Sequence, residues 1–310
     1  MAAGSRFFDN RSRAVSTDIG YQNYTAGQHF RSFGAYAYSN HTWNFGGNPI
    51  YQGLAGGMYG TFNNLANAEI GGGFNPTYLN DRTTRGGPLS QQPASWNIYA
   101  DGGSDTRKVI SFKGYADYAH ATSGGSSWDI NGTADYRPAS NLHLIFGPSL
   151  SRMNSTAQYI RSVSDPLATN TFGKRYVFAS LHQTTLALDT RAEWTFTPAL
   201  SFQLYAQPFV SAGDYGEFKQ LVDGRSRDYG ARYGAVDYFG NPDFNYRSFR
   251  TTNVVRWEYR PGSTLFVVWQ QGREDVDEHG RFDFRSDVSS VFGSPSRNVF
   301  LVKWAYWLNY

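Results

Sequence analysis

Cysteine is absent from the 310 residues, which removes disulfides, thiolate catalysis and cysteine-type zinc sites. Long apolar runs are missing as well. No stretch approaches the roughly 18 consecutive apolar residues that a membrane helix requires, and mean hydropathy is −0.52. Charged residues make up only 17%, and the net charge of +3 is scattered among acids and bases. No basic stripe supports nucleic-acid binding. The opening residues MAAGSRFFDNRSRAV contain no apolar segment of the length a secretion signal needs.

What is abundant points elsewhere. Aromatics reach 17% and glycine supplies 33 residues, and the chain ends on FLVKWAYWLNY, Phe300 to Tyr310. Phe300, Val302, Trp304, Tyr306, Leu308 and Tyr310 share one face of an extended strand, with Lys303 and Asn309 on the other. Low hydropathy does not exclude a membrane, because a barrel strand needs an apolar residue only at alternate positions. A soluble sandwich strand alternates too, but its core favours Val, Ile and Leu. Here Trp and Tyr end the apolar face, and rings with a polar edge sit best at a headgroup boundary.

Period-two alternation between turn signals predicts about 12–13 strands. Trp128, Ile130, Ala134 and Tyr136 oppose Asp129, Asn131, Thr133, Asp135 and Arg137. Tyr176, Phe178, Leu186, Leu188, Trp194 and Phe196 oppose Gln183, Asp189, Arg191 and Glu193, and Phe249, Val255, Trp257 and Tyr259 oppose Arg250, Arg256 and Glu258. Short turns are predicted at 63–67, 102–108, 137–141, 197–201 and 260–263, facing the periplasm. Long connections over 75–95, 154–174, 212–246 and 272–298 face outward. The expected fold is all-β: one antiparallel transmembrane outer-membrane β-barrel domain over residues 1–310, every segment a strand. Strands begin near Phe30, with a further strand near 14–24. That odd total and the missing secretion signal predict a remnant of a larger barrel whose front portion is absent.

Four stretches carry a family resemblance: DRTTRGGP (Asp81 to Pro88), GKRYVFASLHQTTLALDTRAEWTFTPALSFQLYAQPF (Gly173 to Phe209), SAGDYGEF (Ser211 to Phe218) and RWEYRPGSTLFVVWQQ (Arg256 to Gln271). Together they resemble the C-terminal barrel of the domain of unknown function 5916 family, over roughly Phe30 to the end. The resemblance implies an envelope protein with a signal peptide, then a domain similar to carbohydrate-binding module family 9, then this barrel. Neither of the first two is in the sequence, so no glycan-binding role passes to any residue here.

Several groups are candidates for chemistry. Asp117, Asp129, Asp189, Arg191, Glu193, Arg256 and Glu258, with Lys113 and Arg250, are expected on the lumen face. They line a pore, or pair across strands, or supply two carboxylates to a glycosidase whose spacing sequence does not reveal. Ser180, His182 and Thr184 share the lipid face but have no assignable orienting Asn or Asp. The run Glu274, Asp275, Asp277, Glu278, Gly280 and Asp283 has oxygen ligands yet lacks the spacing of a calcium loop, so no metal or other cofactor is expected. Tyr215, Tyr229, Tyr233 and Tyr238 lie in an aromatic loop that either stacks on glycans or glues the loop to its barrel. Gly71, Gly72 and Gly73 open no helix and are expected to relieve crowding on a curved strand. Trp304, Tyr306, Leu308 and Tyr310 are expected to be the signal read by the barrel assembly machinery. The partners expected are therefore outer-membrane lipid, that machinery and possible glycans, with a channel or anchoring barrel in the bacterial outer membrane as the leading function. A carbohydrate-active or carbohydrate-binding envelope protein is the alternative.

Overall fold

The structure, a computed structural model, describes residues 12–308. Thirteen antiparallel strands follow one another as a meander: β1 (Ser12–Asn23), β2 (Phe30–Asn44), β3 (Pro49–Phe62), β4 (Asn67–Asn75), β7 (Ser95–Gly103), β8 (Ile110–Ala121), β9 (Ser126–Ala139), β10 (Leu142–Ser164), β11 (Lys174–Thr197), β12 (Leu200–Leu221), β14 (Phe244–Arg260), β15 (Ser263–Asp277) and β16 (Ser296–Ala305). Two short strands, β5 (Tyr78–Asn80) and β6 (Ser90–Gln92), pair with each other in the β4–β7 connection, and β13 (Tyr233–Ala235) adds to β12. The expected all-β antiparallel fold is present. Among the described residues β1 and β16 are the two ends of the path.

The four longest connections all lie at one end of the sheet. At the short-turn end the connections are residues 24–29, 63–66, 104–109, 140–141, 198–199 and 261–262; at the long-loop end, 45–48, 76–94, 122–125, 165–173, 222–243 and 278–295. All five predicted short turns fall at the first end. Gly262 takes φ +75° in the two-residue Pro261–Gly262 turn, a conformation that costs glycine little, and its N–H donates to Glu258 Oε1 at 3.1 Å. In the β7–β8 turn the Arg107 guanidinium and its backbone N–H hydrogen-bond Asp105 and hold that carboxyl down to about 2.

The long connections are shorter than the sequence implies. β10 runs on to Ser164, β12 to Leu221 and β15 to Asp277. On β11 beside these extensions Tyr176, Val177, Phe178 and Ala179 are consecutive and all buried, so both faces of that length of strand are covered. Phe178 is 0% exposed within a cluster of Tyr176, Leu221, Ala157, Tyr159 and Tyr233. Nor are all segments strands. A short helix α1 (Tyr229–Arg232) and a longer one, α2 (Phe284–Gly293), interrupt the loops, each begun by an aspartate, Asp228 or Asp283, whose side chain accepts from a backbone N–H of the first turn. The closing strand is Ser296–Ala305 rather than Phe300 to Tyr310. Tyr306 and Leu308 follow it, and Tyr310 lies outside the described residues.

The sheet curls. Arg225, four residues past β12, hydrogen-bonds Asn48, one residue before β3, at 3.4 Å. Seven strand spacings separate β3 from β12, which is about 34 Å in a flat sheet. The intervening backbone reaches only about 17 Å plus one arginine side chain.

Side-chain placement follows the alternation, and large apolar side chains stay exposed along one face. Leu142, Trp194, Phe202, Val255, Val267 and Val302 form one register row across six strands. Met58 is 63% exposed, Ile70 55% and Trp304 67%. Exceptions occur on β14: Thr251 and Asn253 share the apolar face, where Thr251 Oγ1 donates to the Tyr205 carbonyl at 2.8 Å and Asn253 to the Trp269 carbonyl at 3.4 Å.

At the long-loop end α2 lies on β14 and β15, with Phe292 5.1 Å from Phe249. Beneath it Arg247 pairs with Asp275 at 3.0 Å, with Asp287 at 3.3 Å and with Asp277, while Asn245 donates to Asp287 at 2.9 Å. Arg247 and Asp287 are buried, and removing one partner of a buried pair typically costs about 3–5 kcal/mol. Arg247→Met should release α2, seen as new protease cleavage within 278–295. A wild-type digestion pattern would contradict this account.

Candidate functional site

The polar face is where chemistry is concentrated, and it is built from cross-strand pairs. Across β2, β3, β4 and β7, Tyr36 and Tyr99 flank the facing glycines Gly57 and Gly71 in register. A Cβ on Gly57 would come within 2.8 Å of the Tyr36 hydroxyl, and one on Gly71 within 2.6 Å of the Tyr99 hydroxyl. The rings therefore lie flat over the glycines. Their hydroxyls meet each other and donate to Glu69 Oε1, Tyr36 at 2.6 Å and Tyr99 at 2.8 Å. The expectation that Gly71 relieves crowding thus has a physical object, an aromatic ring from the next strand. Gly72 instead faces the Asn97 backbone carbonyl, which a Cβ would meet at 2.6 Å.

The sequence candidates divide between two walls. Asp117 and Asp129 stand directly opposite each other on β8 and β9, and Asp117 accepts from Asn97 Nδ2 at 2.8 Å. Facing like charges are unfavourable, and the amide takes one of the two. On β11 and β12, Asp189 accepts from the Tyr205 hydroxyl at 2.8 Å and from Gln207 at 2.9 Å, while Arg191 lies 5.6 Å over the Tyr205 ring. Glu193 is 3.9 Å from His143, whose other nitrogen is 3.1 Å from Asp135. Arg256 pairs with Glu258 at 2.9 Å and Arg250 with Glu274 at 3.0 Å. Most of these groups serve a neighbouring strand. Among the described residues no cluster of three His, Cys, Asp or Glu is placed to hold a metal ion.

The loop tyrosines are spread out. Tyr229 and Tyr233 contact each other at 5.3 Å, Tyr229 donates to the Thr156 carbonyl at 3.0 Å, and Lys219 lies over both rings. Tyr238 is stacked 4.4 Å from Phe218, with Arg161 5.1 Å from its ring. Tyr215 is 6.4 Å from Phe244. At the end of the chain Trp304 donates to the Tyr259 hydroxyl at 2.6 Å, and Arg260 donates to the Tyr306 hydroxyl at 2.5 Å. Asp275 and Asp277, read as part of an acidic loop, sit on β15 against Arg247. His182, to which no orienting residue was assigned, has its Nδ1 2.8 Å from Asn154 Oδ1 on the adjacent strand.

A family model for a domain of unknown function, DUF5916, matches residues 4–310. The chain belongs to that family. The match reaches further forward than the resembling stretches, so β1 lies inside it. No curated protein and no solved structure matches the chain. For a DUF5916 member the polar-face pairs must therefore be interpreted from their own geometry.

Sequence reasoning missed the Tyr36, Glu69 and Tyr99 group. Its signal was a glycine opposite a tyrosine, which needs strand register to be seen. Gly71→Ala and Tyr99→Phe should each cost about 1–2 kcal/mol by removing the same hydrogen bond. The double variant should then cost about as much as either change alone in detergent-phase urea unfolding. Simple additivity would show that ring and glycine act independently.

Proposed function

We propose that this chain is the wall of an outer-membrane β-barrel, with its apolar face toward lipid and its paired charges toward a lumen. The observation carrying this reading is the exposure of the apolar face on strand after strand. Soluble monomers rarely expose contiguous apolar patches beyond a few hundred Å², and a sandwich would bury this face and wet the other. The band also has two aromatic borders. Tyr136, Trp194, Phe196, Trp257, Tyr259 and Trp304 lie toward the short-turn end. Trp96, Tyr118 and Trp128 lie toward the long-loop end, with centroids 5.5 and 4.3 Å apart. On β11 the outward face runs from Phe196 to Leu186 before Thr184 and His182, which is close to the 9–11 residues of a transmembrane strand. The curl of the sheet supports the same reading.

Channel or anchoring duty follows better than catalysis, because most carboxylates and guanidiniums of the polar face are already engaged by neighbouring amides, hydroxyls, rings or ion-pair partners. With no cysteine in the chain, a single-cysteine spin-label scan of residues 127–132 on β9 tests the proposal directly. In lipid vesicles, labels at 128 and 130 should collide with oxygen and labels at 129 and 131 with a water-soluble nickel reagent. Equal water accessibility at both parities would rule the barrel out.

Assembly follows from the same reading. An unpaired β16 in hydrocarbon would leave backbone groups unsatisfied at several kcal/mol each, so insertion machinery must engage this end of the chain first. Deleting residues 308–310 should abolish insertion into the outer membrane while Asn309→Ser should not; normal membrane levels of the deletion would refute the role.

A further inference from the structure

Outward chemistry changes abruptly above the row Ile130, Leu150, Leu186 and Val210. The next row is Trp128, Arg152, Thr184 and Ala212, and the one above it is Ser126, Asn154, His182 and Asp214. The 278–295 segment folds back onto this face. Gly280 sits on Asp214, where a Cβ would come 2.5 Å from the Asp214 Cα. Between segment and strands is a cleft of about 620 Å³, lined by Arg152, His182, Asp214 and Arg281 among others.

Two features of the cleft are unexplained by the fold. Arg152 and Arg281 have no ion-pair partner among the described residues, in a protein whose outward guanidinium one register row lower, Arg247, pairs with three carboxylates. His182 is held by Asn154 at 2.8 Å, and Asn154 is itself fixed by donating to Ser126 Oγ at 3.3 Å. With Nδ1 engaged, Nε2 is left to the cleft. Two planar guanidiniums present the fork geometry that suits phosphate oxygens.

We propose that this cleft binds the phosphate group of a lipid headgroup in the leaflet at the long-loop end, gripped by Arg152 and Arg281 with His182 as a third polar contact. The inference rests on the barrel reading. A lipid is favoured over free phosphate because the cleft opens directly above the apolar row of Ile130, Leu150, Leu186 and Val210, where acyl chains would lie, with Trp128 at the boundary. Asp214 is the one carboxylate in the lining and opposes the anion.

The chain should be refolded into phosphatidylcholine vesicles carrying equal amounts of phosphatidic acid and diacylglycerol, which differ only in the phosphate. Lipid retained after detergent exchange is then measured by mass spectrometry. Wild type should enrich phosphatidic acid, and Arg152→Gln and Arg281→Gln should each lower that enrichment about fivefold. Asp214→Asn should raise it, an opposite sign that general structural damage does not produce. Loss of the bound lipid to excess inorganic phosphate would overturn the lipid assignment in favour of a free anion. Unchanged enrichment in the arginine variants, with the in–out pattern on β9 intact, would overturn the site while leaving the barrel standing. Loss of that pattern in wild type would overturn both.

Discussion

One constraint governs the rest of this molecule: a single sheet must dispose of two faces of opposite chemistry, and along most of its length the apolar face is left exposed. Apart from the covered long-loop end, the described residues contain little buried hydrophobic core. The usual source of stability, apolar side chains packed on one another, is thus replaced along most of the sheet by the backbone ladder and by polar cross-strand pairs. That arrangement makes sense only if something apolar covers the outside, and this is the physical basis of the membrane proposal.

The two ends of the strands are built differently for the same reason. At the short-turn end, two-residue turns close on themselves, as Gly262 does on Glu258. At the other end the strands outrun the apolar band and need cover for their edges and faces. They gain it by folding loops back: the 76–94 and 222–243 connections meet where the Gln91 N–H donates to the Gly224 carbonyl at 2.7 Å, and α2 seals the Arg247 cluster. The substantial apolar core among the described residues, around Phe178, is here. A small packed cap is thereby joined to a sheet with little other core among the described residues.

Strand number, hairpin rhythm and face assignment were legible in the sequence because period-two alternation is a strong signal wherever exactly one face is apolar. Trp128 and Ile130 against Asp129 and Asn131 are an example. It failed over 154–164 and 212–221, where NSTAQYIRSVS and AGDYGEFKQL keep no sustained apolar face, so nearly half of β10 and of β12 was read as loop. Side-chain partnerships were mostly invisible. Asp189 with Tyr205, or Tyr36 with Glu69 and Tyr99, depends on register between strands, which a one-residue slip would reverse. Asn154 lies 28 positions before His182, and no local pattern links them.

The height of the polar rows carries the last step of the argument. Register places Arg152 beside Trp128 and one row above Leu150, so the transition from apolar to cationic happens within a single side-chain repeat along β10. Arg247, one register row lower and two strands beyond Thr184, meets the same transition under α2 and takes three carboxylates. Arg152 is left without such a cover. In the proposed bilayer setting, an arginine at this level gains only if an anion supplies what the protein does not, because an unpaired guanidinium so close to hydrocarbon is costly. The uncovered side of this boundary is therefore where the protein and its lipid are expected to complete one another.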